Sequence, residues 1–124
     1  MSSAKYILIA DDDAVVSRIY QRQFAHAGYE VKVVLDGEQA ISAIEERCPD
    51  VMMLDLQMPK IGGLEVLRHV RSTPELKALP VVVFSNAYLG NQVKEAWKAG
   101  ANKCLTKTIC TPKQLMAVIS ATLA

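Results

Sequence analysis

Five short apolar runs alternate with helical patterns along this chain, and that alternation restricts the fold more than any other feature. The runs are Tyr6 to Ala10, Val31 to Val34, Val51 to Leu54, Val81 to Phe84 and Lys103 to Thr106. Between them, Val16, Ile19, Tyr20 and Phe24 recur on one helical face, as do Ala40, Ile41 and Ile44, then Leu64, Leu67 and Val70. Val93, Ala96 and Trp97 mark a fourth helix. Leu115, Val118, Ile119 and Thr122 mark a fifth, with Thr111 as its N-cap and Pro112 at the first helical position. Phe24 and Trp97 are expected in the core. Gly28 and Gly100 follow helical patterns and suit the left-handed C-terminal position. Strands separated by helices must be joined by crossovers, so the sheet is predicted to be parallel with helices on both faces.

Strand composition suggests the order. Central strands of such a sheet are apolar on both faces, whereas edge strands admit polar residues. The first, third and fourth runs are continuously apolar. The second (Glu30-Val31-Lys32-Val33) alternates and the fifth carries Lys103 and Thr106, which sends both to the edges. With right-handed crossovers the expected fold is a doubly wound α/β sheet of order 2-1-3-4-5, whose switch point lies between strands one and three. Ligands of such sheets bind beyond the carboxyl ends of the strands at that point.

The chain has 124 residues, which suits one domain over 1–124, with a core that needs no staples. Its 14 Lys+Arg against 13 Asp+Glu give a net charge of +1, which leaves no basic footprint for nucleic acid. No run approaches the roughly 20 apolar residues of a membrane span, and Met1 to Lys5 does not resemble a secretory signal, so the cytoplasm is the expected compartment. Cys48, Cys104 and Cys110 show no CxxC spacing and are read as reduced thiols. His26 and His69 are read as surface or satisfied helix positions.

The residues that end the strands carry chemistry. Strand one runs into Asp11-Asp12-Asp13 and strand three into Asp55. Two ionised carboxylates about 4 Å apart repel by about 4 kcal/mol at an effective dielectric of 20, so such a cluster either protonates in part or recruits a cation. Oxygen ligands without His or Cys favour Mg²⁺ or Mn²⁺, and a site with few protein ligands suits Mg²⁺ beside a phosphate. A helix cap explains one acid, with Asp13 the candidate, but not four. Strand four ends in Ser85 and strand five in Lys107. Read singly these are a turn residue and a solvated charge; at the ends of consecutive strands they become a hydroxyl and an ammonium able to meet a phosphate.

These segments resemble the receiver domain of bacterial two-component response regulators over nearly the whole chain. The likeness is carried by Ile7 to Asp13, by Pro49 to Pro59 with Gly62-Gly63, and by Ala99-Gly100-Ala101 leading to Leu105-Thr106-Lys107. The resemblance implies the flavodoxin-like (βα)5 fold and a phosphorylation switch. Asp55 would accept a phosphoryl group from a sensor histidine kinase or a histidine phosphotransfer protein. Asp12 and Asp55 would hold Mg²⁺ by their side chains, the backbone carbonyl of Gln57 would be a third protein ligand, and Asp11 would act largely through water. Lys107 would pair with the phosphoryl oxygens and Ser85 would hydrogen-bond to them. Output would pass through protein contacts, with a homodimer through the fourth helix, fifth strand and fifth helix as one form.

The chain departs from the family pattern at three places. Thr108 follows Lys107 where Pro is usual, so a cis bond is not expected there, since a non-proline cis peptide costs about 2.5–4 kcal/mol. Cys104 replaces the family's switch aromatic, with nearby Tyr88 as a candidate substitute, and Asn86 replaces a small residue. Ala87 cannot orient a water whereas Gln57 can, which predicts a phosphoryl lifetime longer than in fast chemotaxis-type receivers. Competing classes fit less well. A dinucleotide site would need GxGxxG after strand one, and an aspartyl phosphohydrolase a second acid at position 57, which is Gln. The alternative is a receiver-like protein scaffold that does not depend on phosphorylation. The chain ends at Ala124, just after the fifth helical pattern, which leaves no room for an effector; a stand-alone receiver and a fragment of a longer protein fit equally.

Overall fold

A computed structural model describes residues 4–85, 90–108 and 110–123. Elements run β1 (Tyr6–Ala10), α1 (Ala14–His26), β2 (Glu30–Val34), α2 (Gly37–Glu46), β3 (Val51–Leu54), α3 (Gly63–Ser72), a 3-10 turn (Pro74–Leu76), β4 (Val81–Ser85), α4 (Gly90–Ala99), β5 (Lys103–Thr106) and α5 (Pro112–Leu123). The five strands form one parallel sheet in the expected order β2-β1-β3-β4-β5. The 3-10 turn had no counterpart in the sequence reading.

Strand side chains alternate between faces, so each central strand feeds two cores. Leu8, Ala10, Met52, Leu54, Val81 and Val83 pack under α2, α3 and α4 with Ala40, Ile44, Val66, Leu67, Val70 and Ala96. Ile7, Ile9, Val51, Met53, Val82 and Phe84 pack under α1 and α5 with Tyr20, Phe24, Leu115 and Ile119. Central strands are wholly buried, whereas β2 and β5 keep exposed or half-buried positions, which is why composition revealed the order.

Local signals act as expected at the helix ends. Asp13 caps α1, accepting from the Val15 and Val16 amides at 3.1 Å. Thr111 and Gln114 form a reciprocal capping box at α5, and Gly28 and Gly100 have φ of 99° and 106°. Two positions correct the sequence reading. Trp97 is 49% exposed and Ile19 52%, so neither belongs to the core. Each lies beside a correctly placed neighbour, Ala96 and Tyr20, and a 3.6-residue period does not separate the rim of an apolar stripe from its centre. His69 is half-buried on α3, with Glu45 Oε1 3.9 Å from its Nε2. The three cysteines are free. At the sheet end away from the carboxyl termini of the strands, Arg71 donates to the carbonyls of Gly100, Lys77 and Leu79 and to Asn102, tying α3 to the start of β4 and β5.

Candidate functional site

The carboxyl ends of β1, β3, β4 and β5 converge because the strands are in register and parallel. Ala10 pairs with Leu54, so Asp11 and Asp55 leave adjacent strands side by side, and the Asp55 amide donates to the Ala10 carbonyl at 2.9 Å. Ser85 pairs with Thr106, and the Lys107 amide donates to the Ser85 carbonyl at 2.8 Å, which turns the lysine toward the acids. Asp11, Asp55 and Ser85 are buried and Asp12 is exposed.

One carboxylate oxygen from each of Asp11, Asp12 and Asp55 lies within 4.8 Å of the others. Lys107 Nζ sits 2.7 Å from Asp11 Oδ2 and 3.3 Å from Asp55 Oδ2. Around this core, the Asp13 amide donates to Asp11 Oδ1 at 2.9 Å, the Gln57 amide to Asp55 Oδ1 at 3.3 Å, and the Ser17 hydroxyl to the Asp11 carbonyl at 3.3 Å. The loop after β3 folds back tightly: the Gly63 amide donates to the Leu56 carbonyl, and a methyl group on Gly63 would overlap the Asp55 carbonyl. Lys60 in that loop has a left-handed backbone, φ 68°.

Electrostatics follow from burial. Burial raises the Asp55 carboxyl from 3.8 to about 6, the Asp11 charge pushes the same way, and Lys107 and the Gln57 amide offset only part of the rise. Burial pulls Lys107 down, but its contacts with Asp11 and Asp55 more than offset this and leave it above the usual lysine value. One ammonium thus stands against three carboxylates. That donor set is all oxygen, closely spaced and short of positive charge, which fits a hard divalent cation and not a soft one.

Asp11, Asp12, Asp55 and Lys107 therefore come together from segments as far apart as positions 11 and 107. Ser85 ends β4 beside them. Gln57 is exposed and joins through its backbone amide. Asp13 serves α1 as its cap. Lys107 reaches the acids although Thr108 follows it, and no cis peptide occurs among the described residues. Cys104 is half-buried, and burial pushes its thiol up to about 11, so it stays neutral at physiological pH. Asn86, Ala87 and Tyr88 lie outside the described residues. Sequence reasoning missed Ser17, since a serine in a helix carries no local signal of a partner six residues back. It also missed that Lys107 sits closer to Asp11 than to Asp55.

A family model described as the response regulator receiver domain matches residues 7–120. The phosphate regulon transcriptional regulatory protein PhoB of Rhizobium meliloti (strain 1021) is 29% identical over 117 residues, 94% of this chain and 51% of its own. The response regulator MprA of Mycobacterium sp. (strain KMS) is 36% identical over 101 residues, 82% of this chain and 43% of its own. The chain spans about half the length of the curated relatives it matches. Among solved structures, a response regulator from Chloroflexus aurantiacus J-10-fl aligns with a TM-score of 0.90 at 30% identity, covering 98% of both chains. The chemotaxis response regulator CheY4 of Vibrio cholerae aligns at 0.89 and 25% identity, covering 98% of this chain and 100% of its own. With its fold, its clustered aspartates and these matches in agreement, the chain belongs to the receiver domain family of two-component response regulators.

Proposed function

We propose that residues 1–124 form one receiver domain that is switched by phosphorylation of Asp55. The observation that carries this reading is the buried Asp55 carboxylate at the end of β3, set between Asp11, Asp12 and Lys107. An Asp55 oxygen attacks the phosphorus of a phosphohistidine on a sensor histidine kinase or a histidine phosphotransfer protein. The new P–O bond forms as the P–N bond breaks, and the departing imidazole nitrogen keeps the electron pair and takes a proton from water. No base is required, because Asp55 is ionised above about pH 6 even before any cation binds. Mg²⁺, held by Asp12, Asp55 and the Gln57 carbonyl and by Asp11 largely through water, would neutralise the charge on the phosphoryl oxygens. Lys107 follows the phosphoryl group, and its release from Asp11 supplies the local change. Ser85 donates its hydroxyl to the same group.

Phosphorylation adds about 1.5–2 negative charges and three acceptors, enough to favour a conformation in which Lys107 and Ser85 close on the group. Output then passes by protein contact, with the α4-β5-α5 face as the dimer surface. Because Cys104 holds the place of the family's aromatic reporter, no ring swings there. No described helix is long and apolar enough to cross a membrane, and a cytoplasmic site of action accords with a histidine kinase donor.

The test is incubation with acetyl phosphate or phosphoramidate and Mg²⁺, followed by intact mass. Addition of one phosphoryl group, abolished by chelator and by Asp55→Asn, is the expected result. An unchanged mass with every donor defeats the switch and leaves the phosphorylation-independent scaffold.

A further inference from the structure

Five polar side chains are buried among the described residues: Asp11, Ser17, Asp36, Asp55 and Ser85. Three of them end the strands at the site. Asp36 caps α2, accepting from the Gln39 amide at 2.7 Å. Ser17 remains, 1% exposed in the second turn of α1 and without a part in the chemistry above.

A helical serine usually returns its hydroxyl to a carbonyl one turn back, here that of Asp13. Ser17 does not. Its amide makes the helical bond to the Asp13 carbonyl at 3.0 Å, while its hydroxyl passes beyond the helix and donates to the Asp11 carbonyl at 3.3 Å. Asp11 is thereby held from several sides: its amide by the Val34 carbonyl at 3.1 Å, its Oδ1 by the Asp13 amide, its Oδ2 by Lys107, and its carbonyl by Ser17.

That carbonyl belongs to the planar peptide joining Asp11 to Asp12. A bond that fixes the plane fixes ψ of Asp11 and φ of Asp12 together, and so the directions in which both carboxylates leave the chain. We propose that Ser17 is a positioning residue for the acid cluster, its buried hydroxyl locking the Asp11–Asp12 peptide so that the two carboxylates converge with Asp55. Without the hydroxyl the buried carbonyl lacks this donor, and the peptide turns to find another. The inference rests on the reading that the cluster takes Mg²⁺.

The experiment measures Mg²⁺ binding to the unphosphorylated protein, from the heat of binding along a MgCl₂ titration at fixed temperature, for wild type, Ser17→Ala and Ser17→Thr. Partners that orient metal ligands typically account for about 10–100-fold in affinity; acting through a backbone carbonyl, Ser17 is expected to account for roughly three- to tenfold. Ser17→Ala should raise the Mg²⁺ midpoint by at least about threefold, and Ser17→Thr, which keeps the hydroxyl, should restore it. A smaller rise in Ser17→Ala overturns the proposal even if the variant melts earlier, because a purely structural role lowers the melting temperature without moving the midpoint. An equal shift in both variants overturns it too. If Ser17→Ala does not fold, Ser17→Cys, with its weaker donor, is judged by the same criterion. Wild type that shows no Mg²⁺ response refutes the inference, whereas wild type that binds Mg²⁺ but accepts no phosphoryl group refutes the switch and leaves Ser17 in its role.

Discussion

Replacing Asp55 by Asn isolates the cost of holding a charge at the end of β3. The Asp55 carboxyl rises from 3.8 to about 6, mainly through burial and next through the Asp11 charge. Two pKa units at about 1.36 kcal/mol each give an upper bound of about 3 kcal/mol. At an effective dielectric of 20, an ammonium and a carboxylate at the observed range of separations contribute about 4–5 kcal/mol each with opposite signs, so they largely cancel and desolvation is what remains. Allowing for water on the exposed Asp12 side of the cluster, the penalty is about 1–3 kcal/mol. The sign follows from linkage. The folded-state value lies above the unfolded one, so the native protein binds more protons between about pH 4 and 6, and stability falls as pH rises through that window. The penalty is present in full above about pH 6 and absent below about pH 4. Asn keeps an acceptor for the Gln57 amide and carries no charge. Asp55→Asn should therefore raise the melting temperature by about 3–10 °C near pH 7.5 in chelator, and by less than about 2 °C near pH 4. Thermal scans at the two pH values decide it. Failure to gain at the higher pH, or an equal gain at both, would refute the reasoning.

The other tests concern packing. Gly63→Ala drives a methyl group into the Asp55 carbonyl, a backbone atom that cannot give way, and should cost about 3 kcal/mol, read as a lower urea midpoint; an unchanged midpoint would show that the loop after β3 is loosely held. Phe24→Ala should cost about 3–5 kcal/mol, while Trp97→Ala should stay within about 1 kcal/mol, since Phe24 is 1% and Trp97 49% exposed. Equal losses in the two variants would contradict the burial described for α1 and α4.

The architecture was legible from the order and composition of the apolar runs alone. A parallel sheet must bury both faces of its inner strands, so Ile7 to Ala10, Val51 to Leu54 and Val81 to Phe84 announce their place by composition, and Lys32 and Lys103 announce the edges. The strand-end residues Asp11, Asp55, Ser85 and Lys107 were legible for the same reason, since topology assigns strand ends to one side. Caps at Asp13 and Thr111 were legible because they act within one turn of chain. Other relations emerge only when the elements pack in three dimensions, because local spacing cannot carry them. The exposure of Ile19 and Trp97 depends on how far neighbouring elements extend over each helix rim, and the raised Asp55 carboxyl depends on water excluded by residues from four strands. The preference of Lys107 for Asp11 and the reach of Ser17 to the strand end before its helix are distances in space, and a one-dimensional pattern holds no record of them.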